Sequence, residues 1–291
     1  MDSKKQKNSA SSQENIVELI QTNGLKSTTN RVFRYIGVKT PIQLLPTENL
    51  SYSTLYRLFE LRASLLPRVS DKNPLDLVWL TPNKVEYLHP PGPPRPPDRY
   101  GYVIGGQWDQ NKIQFDDYFA HRSLVDRYEN GFDWEETELF EWRQSNIKSG
   151  KSPRELSSID ELQEYLNKID ELYKSISGGG YKTQRKLIEH NPAQARLTNN
   201  DSFNAALHEI CVNIGRNGEL IKRGSGQHRL SIAKILDLDE IPVIVKTRHA
   251  EWQQIRNEIR SKSDPQELTT KAKSKLNHPD LADIVPEEWL E

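Results

Sequence analysis

The chain is short of several things, and each shortage excludes a class of function. It has one cysteine, Cys211, among 291 residues, so neither a disulfide framework nor a multi-cysteine metal site is expected within one chain. Nowhere do 18 apolar residues run together, and the start, MDSKKQKNSASSQEN, has lysines with no apolar run behind them. Neither a membrane-spanning helix nor a secretory leader is predicted, which leaves a soluble, cytoplasmic protein with no membrane contact as the expectation. Charge of one sign is also lacking: 40 Lys and Arg stand against 41 Asp and Glu, which argues against a global polyanion-binding surface but leaves room for a local patch. The seven histidines (89, 121, 190, 208, 228, 249, 278) include no pair at a metal-ligand spacing, so no metal site is expected. No GxSxG or Ser/His/Asp arrangement occurs. SGKS at 149–152 has Ser145 where a phosphate loop needs glycine, and GGGY at 178–181 lacks the dinucleotide spacing.

What is present reads as a mixed α+β protein: a mostly helical N-terminal half with a small β-hairpin, then a C-terminal mixed α/β domain. Residues 1–13 read as a disordered lead and 14–90 as a helical region that ends in the hairpin. In that hairpin, LDLVWLTPNKVEYL supplies two short strands joined at Pro82-Asn83. Residues 91–99 lie in HPPGPPRPPDR, whose prolines favour a stiff connection, with an SH3-type ligand as the alternative. Residues 100–156 open on the strand YGYVIGG and continue as helices FDDYFAHRSLVDRYENG and DWEETELFEWRQ. Residues 157–260 form the C-terminal domain and 261–291 a polar tail. From 1 to 75 there are 11 Lys or Arg against 6 Asp or Glu, a local net of +5 that fits either nucleic acid or a plain solvated surface.

The chemistry concentrates in GSGQHRLSIAKIL, residues 224–236. A helix starting near Gln227 puts Leu230, Ile232, Ala233, Ile235 and Leu236 on one broad arc, with Arg229 near its middle and His228 at its margin. An inward arginine needs an anion, because an unpaired buried charge is very costly. Two arrangements supply one. In the first, Ser225, Gly226, Gln227, His228 and Arg229 cradle a phosphate at the helix N-terminus. In the second, Arg229 pairs with a buried acid such as Glu209 and His228 caps the turn. Gln184, Arg185 and Lys186, after the Gly-rich turn at 178–180, and Arg248 and His249, beyond IPVIVK, are further candidates for the same pocket; a solvated surface charge is the other reading of each.

GSGQHRLSIAKILDLDEIPVIV, with LYKSISGGGYKTQRKL upstream, resembles the ParB/sulfiredoxin-like superfamily over about residues 157–250. That resemblance implies phosphate binding at the helix N-terminus through Gly226, His228 and Arg229. It also implies a nucleotide or phosphorylated small molecule as ligand, ATP or CTP with Mg²⁺ among them, and phosphoryl transfer or hydrolysis as a candidate reaction. In that reading Arg229 clamps phosphate, His228 binds it or moves a proton, and Glu209 is the candidate general base or magnesium ligand. Where sulfiredoxins place their reactive cysteine this chain has Gln227, and Cys211 reads as a packing residue. Neither the second arginine-rich motif nor the helix-turn-helix domain of the partition proteins follows residue 260. A nucleic-acid-binding or nuclease-like protein, and a non-catalytic adaptor, are the competing expectations, so the sequence leaves open whether the protein is an enzyme.

Overall fold

A computed structural model describes residues 51–66, 68–96, 99–151, 156–190 and 204–290. The lead at 1–13, the helices expected between 14 and 45 and the basic residues Lys26, Arg31 and Arg34 lie outside the described residues. Three of the helices begin where a hydroxyl side chain satisfies one of their first N–H groups. Ser51 opens α1 (Tyr52–Leu65) by accepting from the Thr54 N–H at 3.2 Å. Helices α2 (Phe119–Tyr128) and α3 (Glu138–Lys148) follow, Thr137 capping the latter. Ser158 caps α4 (Ile159–Gly179), with Asp160 and Glu161 in its first turn, and Gly180 ends it at φ +69°. The basic stretch after that turn forms a further helix, α5 (Gln184–His190).

Seven strands share one sheet. They are β1 (Val78–Leu80), β2 (Tyr87–Leu88), β3 (Tyr102–Ile104), β4 (Ile113–Gln114), β5 (Ile210–Ile214), β6 (Leu220–Lys222) and β7 (Ile241–His249). The order is β1-β7-β5-β6-β2-β4, with β3 parallel to the last part of β7. The expected hairpin is therefore corrected. Both of its strands exist, but β1 pairs antiparallel with β7 while β2 pairs with β6 and β4, and three strands lie between β1 and β2. Between them Pro82 starts a 3₁₀ turn, Pro82–Lys84, in place of the positive-φ residues that a tight hairpin needs. Asn217-Gly218, a residue pair favoured in tight hairpins, joins β5 to β6, with Gly218 at φ +92°.

The sheet has two unlike faces. On one, Ile210, Val212 and Ile214 of β5 and Ile241, Val243 and Val245 of β7 pack against α6 (Gln227–Ile235) and α7 (Ala250–Ser261). The segment after α7 seals this core with Leu268, Ala272, Leu281 and Val285. It is pinned there by Asp280, wholly buried, which accepts from Arg248 Nε and Trp252 Nε1, both at 2.9 Å, and lies 3.5 Å from Arg256. Burial works against the Asp280 carboxylate, but the two guanidiniums more than offset it and hold the carboxyl well below its usual range.

Candidate functional site

The turn between β6 and α6 is clamped onto the start of β5. Gly226 is left-handed (φ +85°), and a Cβ there would stand 2.6 Å from the Ile210 Cα, so the glycine serves close backbone packing. Ser225 Oγ donates to the Glu209 carbonyl at 3.1 Å, and its own carbonyl accepts from Cys211 N at 3.1 Å. Lys222 Nζ donates to the Gly224 and Ser225 carbonyls at 2.7 and 2.8 Å. Cys211 is fully buried, and burial raises its thiol pKa.

Arg229 points inward, as its place on the helical arc predicts, and meets an internal anion. Its Nη1 lies 3.6 Å from Glu209 Oε2 and 3.2 Å from the Tyr181 hydroxyl, and Nη2 donates to the His208 carbonyl. Glu209 also accepts from the Tyr181 hydroxyl at 3.0 Å and from the Gln184 N–H. Of the two arrangements the sequence allowed, this is the buried-acid one, with Arg229 7% and Glu209 1% exposed. Burial keeps the Glu209 carboxyl above its ordinary range despite the Arg229 charge. A cavity of about 50 Å³ beside the pair, lined by Ile176, Tyr181, Gln184, Leu187 and Arg229, has room for a few waters at most.

The other expected residues divide around this pair. His228 turns the opposite way, its Nε2 3.2 Å from the Tyr165 hydroxyl on α4. Gln227 Nε2 is buried without a hydrogen-bond partner. Gln184 joins Arg229, but Arg185 is exposed, bonded to Glu189 and over the Tyr52 ring, and Lys186 is exposed. Arg248 and His249 are not brought to Arg229. Ile210 registers with Val243 and Ile214 with Arg248, so they sit at the far end of the parallel β5–β7 pair. There His249 caps α7 and its other nitrogen contacts the Gly106 carbonyl at 2.9 Å. Trp108 and Asp109 are buried, Asp109 held by the backbone and side chain of Arg216.

The second face of the sheet carries residues that sequence reasoning passed over. It is apolar where Cys211 and Ile244 pack under α1. Further along β5 it becomes polar. A bulge skips Lys246, so that Thr247 registers with Asn213 and shares its face. Asn213 is 1% exposed with neither amide atom hydrogen-bonded, and Thr247 Oγ1 has no partner either. His89, following β2, has Nδ1 3.0 Å from the Asn111 carbonyl and a buried Nε2 with no partner. Arg223 registers beside it at the end of β6, half-buried, its Nε unpartnered. Burial, then the charge of Arg95, lower the Arg223 pKa, and among the described residues no carboxylate lies within ion-pair distance of it. The available signals were an asparagine inside a strand, where it is rare, and a cation directly before the GSG turn.

A larger cavity, about 420 Å³, opens between the Asn217–Glu219 turn and the segment Ser274–Pro279, away from every residue named for the site. Among the described residues no helix is long and apolar enough to cross a membrane, and no group of three or more His, Cys, Asp or Glu gathers as for a metal. Compared with protein-family models, curated proteins and solved structures, the chain matches none.

Proposed function

We propose that the protein binds the phosphate of a nucleotide or phosphorylated metabolite at the turn leading from β6 into α6, with Arg223 as the phosphate-holding cation. One observation carries this reading: a half-buried guanidinium near another arginine, Arg95, with no carboxylate at ion-pair distance among the described residues. Such a group is held at a cost unless an anion completes it. Arg223 also directly precedes Gly224, Ser225 and Gly226, whose turn leads into a helix N-terminus. The resemblance of residues 157–250 to the ParB/sulfiredoxin-like superfamily points to the same turn.

Arg229 has a different part in this reading. It is the strut that ties α6 to β5 through Glu209, so neither residue is assigned a catalytic step, and His228 is assigned none. The reading is binding, with ATP or CTP and Mg²⁺ as the first ligands to try and a nucleotide-containing cytoplasm as the setting. Titration calorimetry with ATP, CTP and inorganic tripolyphosphate tests it. Arg223→Ala is expected to weaken binding at least tenfold, whereas binding untouched by that change, or absent from the unaltered protein, ends the proposal.

A further inference from the structure

The cavity of about 420 Å³ lies apart from Arg223 and from the Arg229 pair, and its volume is that of a small-molecule site. Three pieces of chain enclose it: residues 84–87 leading into β2, the turn 217–220 between β5 and β6, and 274–279 in the segment after α7. The sheet places it where ligands gather. Strands β5, β7 and β3 run parallel, and Ile214, the last residue of β5, registers with Arg248 near the end of β7. The cavity opens just past these carboxyl ends, the side on which parallel strands leave a binding crevice.

Its walls are tied together. His278 Nδ1 accepts from the Asp280 N–H at 3.1 Å, so Nε2 carries the proton and donates to the Gly218 carbonyl at 2.9 Å. That bond fastens the segment after α7 to the β5–β6 turn. Gly218 also lies against Trp252, since a Cβ there would stand 2.8 Å from the ring. Burial lowers the His278 pKa to about 4, so the ring is neutral at neutral pH and adds no charge to the wall.

The charge of the cavity comes from lysines. Lys84 and Lys275 belong to different walls, yet both are near enough to His278 for their charge to act on it. Neither has an ion-pair partner among the described residues. Glu219 is already answered, by Lys112 Nζ at 2.8 Å and the Asn217 N–H at 3.1 Å. Glu86 offsets one of the two lysines, which leaves a single positive charge. The remaining lining is rich in groups that suit hydroxyls: the amides of Asn217 and Asn277 both give and accept hydrogen bonds, and the Tyr87 ring adds an apolar face.

We propose that this cavity binds a small hydroxylated monocarboxylate of the sugar-acid class, its carboxylate between Lys84 and Lys275 and its hydroxyls on Glu86, Asn217 and Asn277. A monoanion balances the charge of the site. A phosphate dianion exceeds it, and no arginine lines the cavity to grip one with a fork of donors. The proposal is independent of the phosphate reading at Arg223.

Titration calorimetry of the full chain with glucuronate, glucose and glucose 6-phosphate is the test. Glucuronate is expected to bind at least tenfold tighter than either of the others. Lys84 is exposed and Lys275 half-buried, so neither is needed for the core. Lys84→Gln and Lys275→Gln are each expected to weaken glucuronate binding at least tenfold, and Arg223→Ala to leave it unchanged. Glucose binding as tightly as glucuronate overturns the carboxylate, and glucose 6-phosphate binding more tightly overturns the charge match. Glucuronate binding that survives both lysine changes, that is lost with Arg223→Ala, or that never occurs overturns the site.

Discussion

The two faces of the β5–β7 sheet use the same chain to opposite ends. On the face toward α6 and α7 the buried charges are paired: Arg248 and Arg256 converge on Asp280, and Asp71 and Asp283 pair with the Nη atoms of Arg256, whose Nε alone has no partner. On the other face Asn213, Thr247 and His89 are buried just as deeply and left unanswered. One bulged residue, Lys246, sets the division, because it turns Thr247 toward Asn213 and Arg248 toward Asp280. Stability concentrates where polar groups are paired.

The sharpest way to break this contrast is to spoil the satisfied face. Asp280→Ala leaves two buried guanidiniums and the Trp252 N–H without their acceptor, and is expected to cost about 4–5 kcal/mol in urea unfolding. Arg229→Met strands the Glu209 carboxylate and is expected to cost about 3 kcal/mol. Pairing it with Glu209→Leu restores part of that loss, and a double-mutant cycle reads the coupling. No such rescue would mean that Arg229 contributes through packing alone.

Acid probes both faces together. His89 and His278 titrate near 4 in the folded chain because they are buried, against about 6.5 when unfolded. A depressed histidine pKa means the unfolded chain binds more protons in that window. Stability is therefore intact above about pH 6.5 and falls toward pH 4, with a slope of roughly 2.7 kcal/mol per pH unit where both titrate fully. Urea midpoints measured across that range check it, and His89→Phe is expected to remove about half of the slope. The smallest effect has the opposite sign. Asn213→Leu, which removes two orphaned polar atoms without opening a cavity, is expected to raise stability by about 1 kcal/mol; a loss of stability would mean that ordered water already satisfies the amide.

Much of the local structure was legible in the chain. The α6 start at Gln227, the inward aim of Arg229 and the helices α2 and α3 follow from periodicity, although α3 opens after Thr137 and not at the start of DWEETELFEWRQ. The pairing of β1 with β7 was not, because a three-residue strand carries no label for a partner so distant in sequence. The candidate site was half legible for a related reason. Arg229 and Glu209 were visible as a buried charge and a nearby acid, but the group at Asn213, Thr247, His89 and Arg223 is assembled by register across four strands. A one-residue bulge, invisible in the strand IPVIVKTRH, decided which of Thr247 and Arg248 faced it.

The sheet order has a kinetic consequence. Val78 pairs with Val243 and Tyr87 with Ile221, contacts 165 and 134 residues apart along the chain. Strands β1 and β3 therefore find no partner strand until β7, residues 241–249, has emerged from synthesis, and β2, with β4 beside it, waits for β6 at 220–222. Loops that long must close before their pairings reward them, which places this topology toward the slow end of folding and leaves its early strands waiting with open edges.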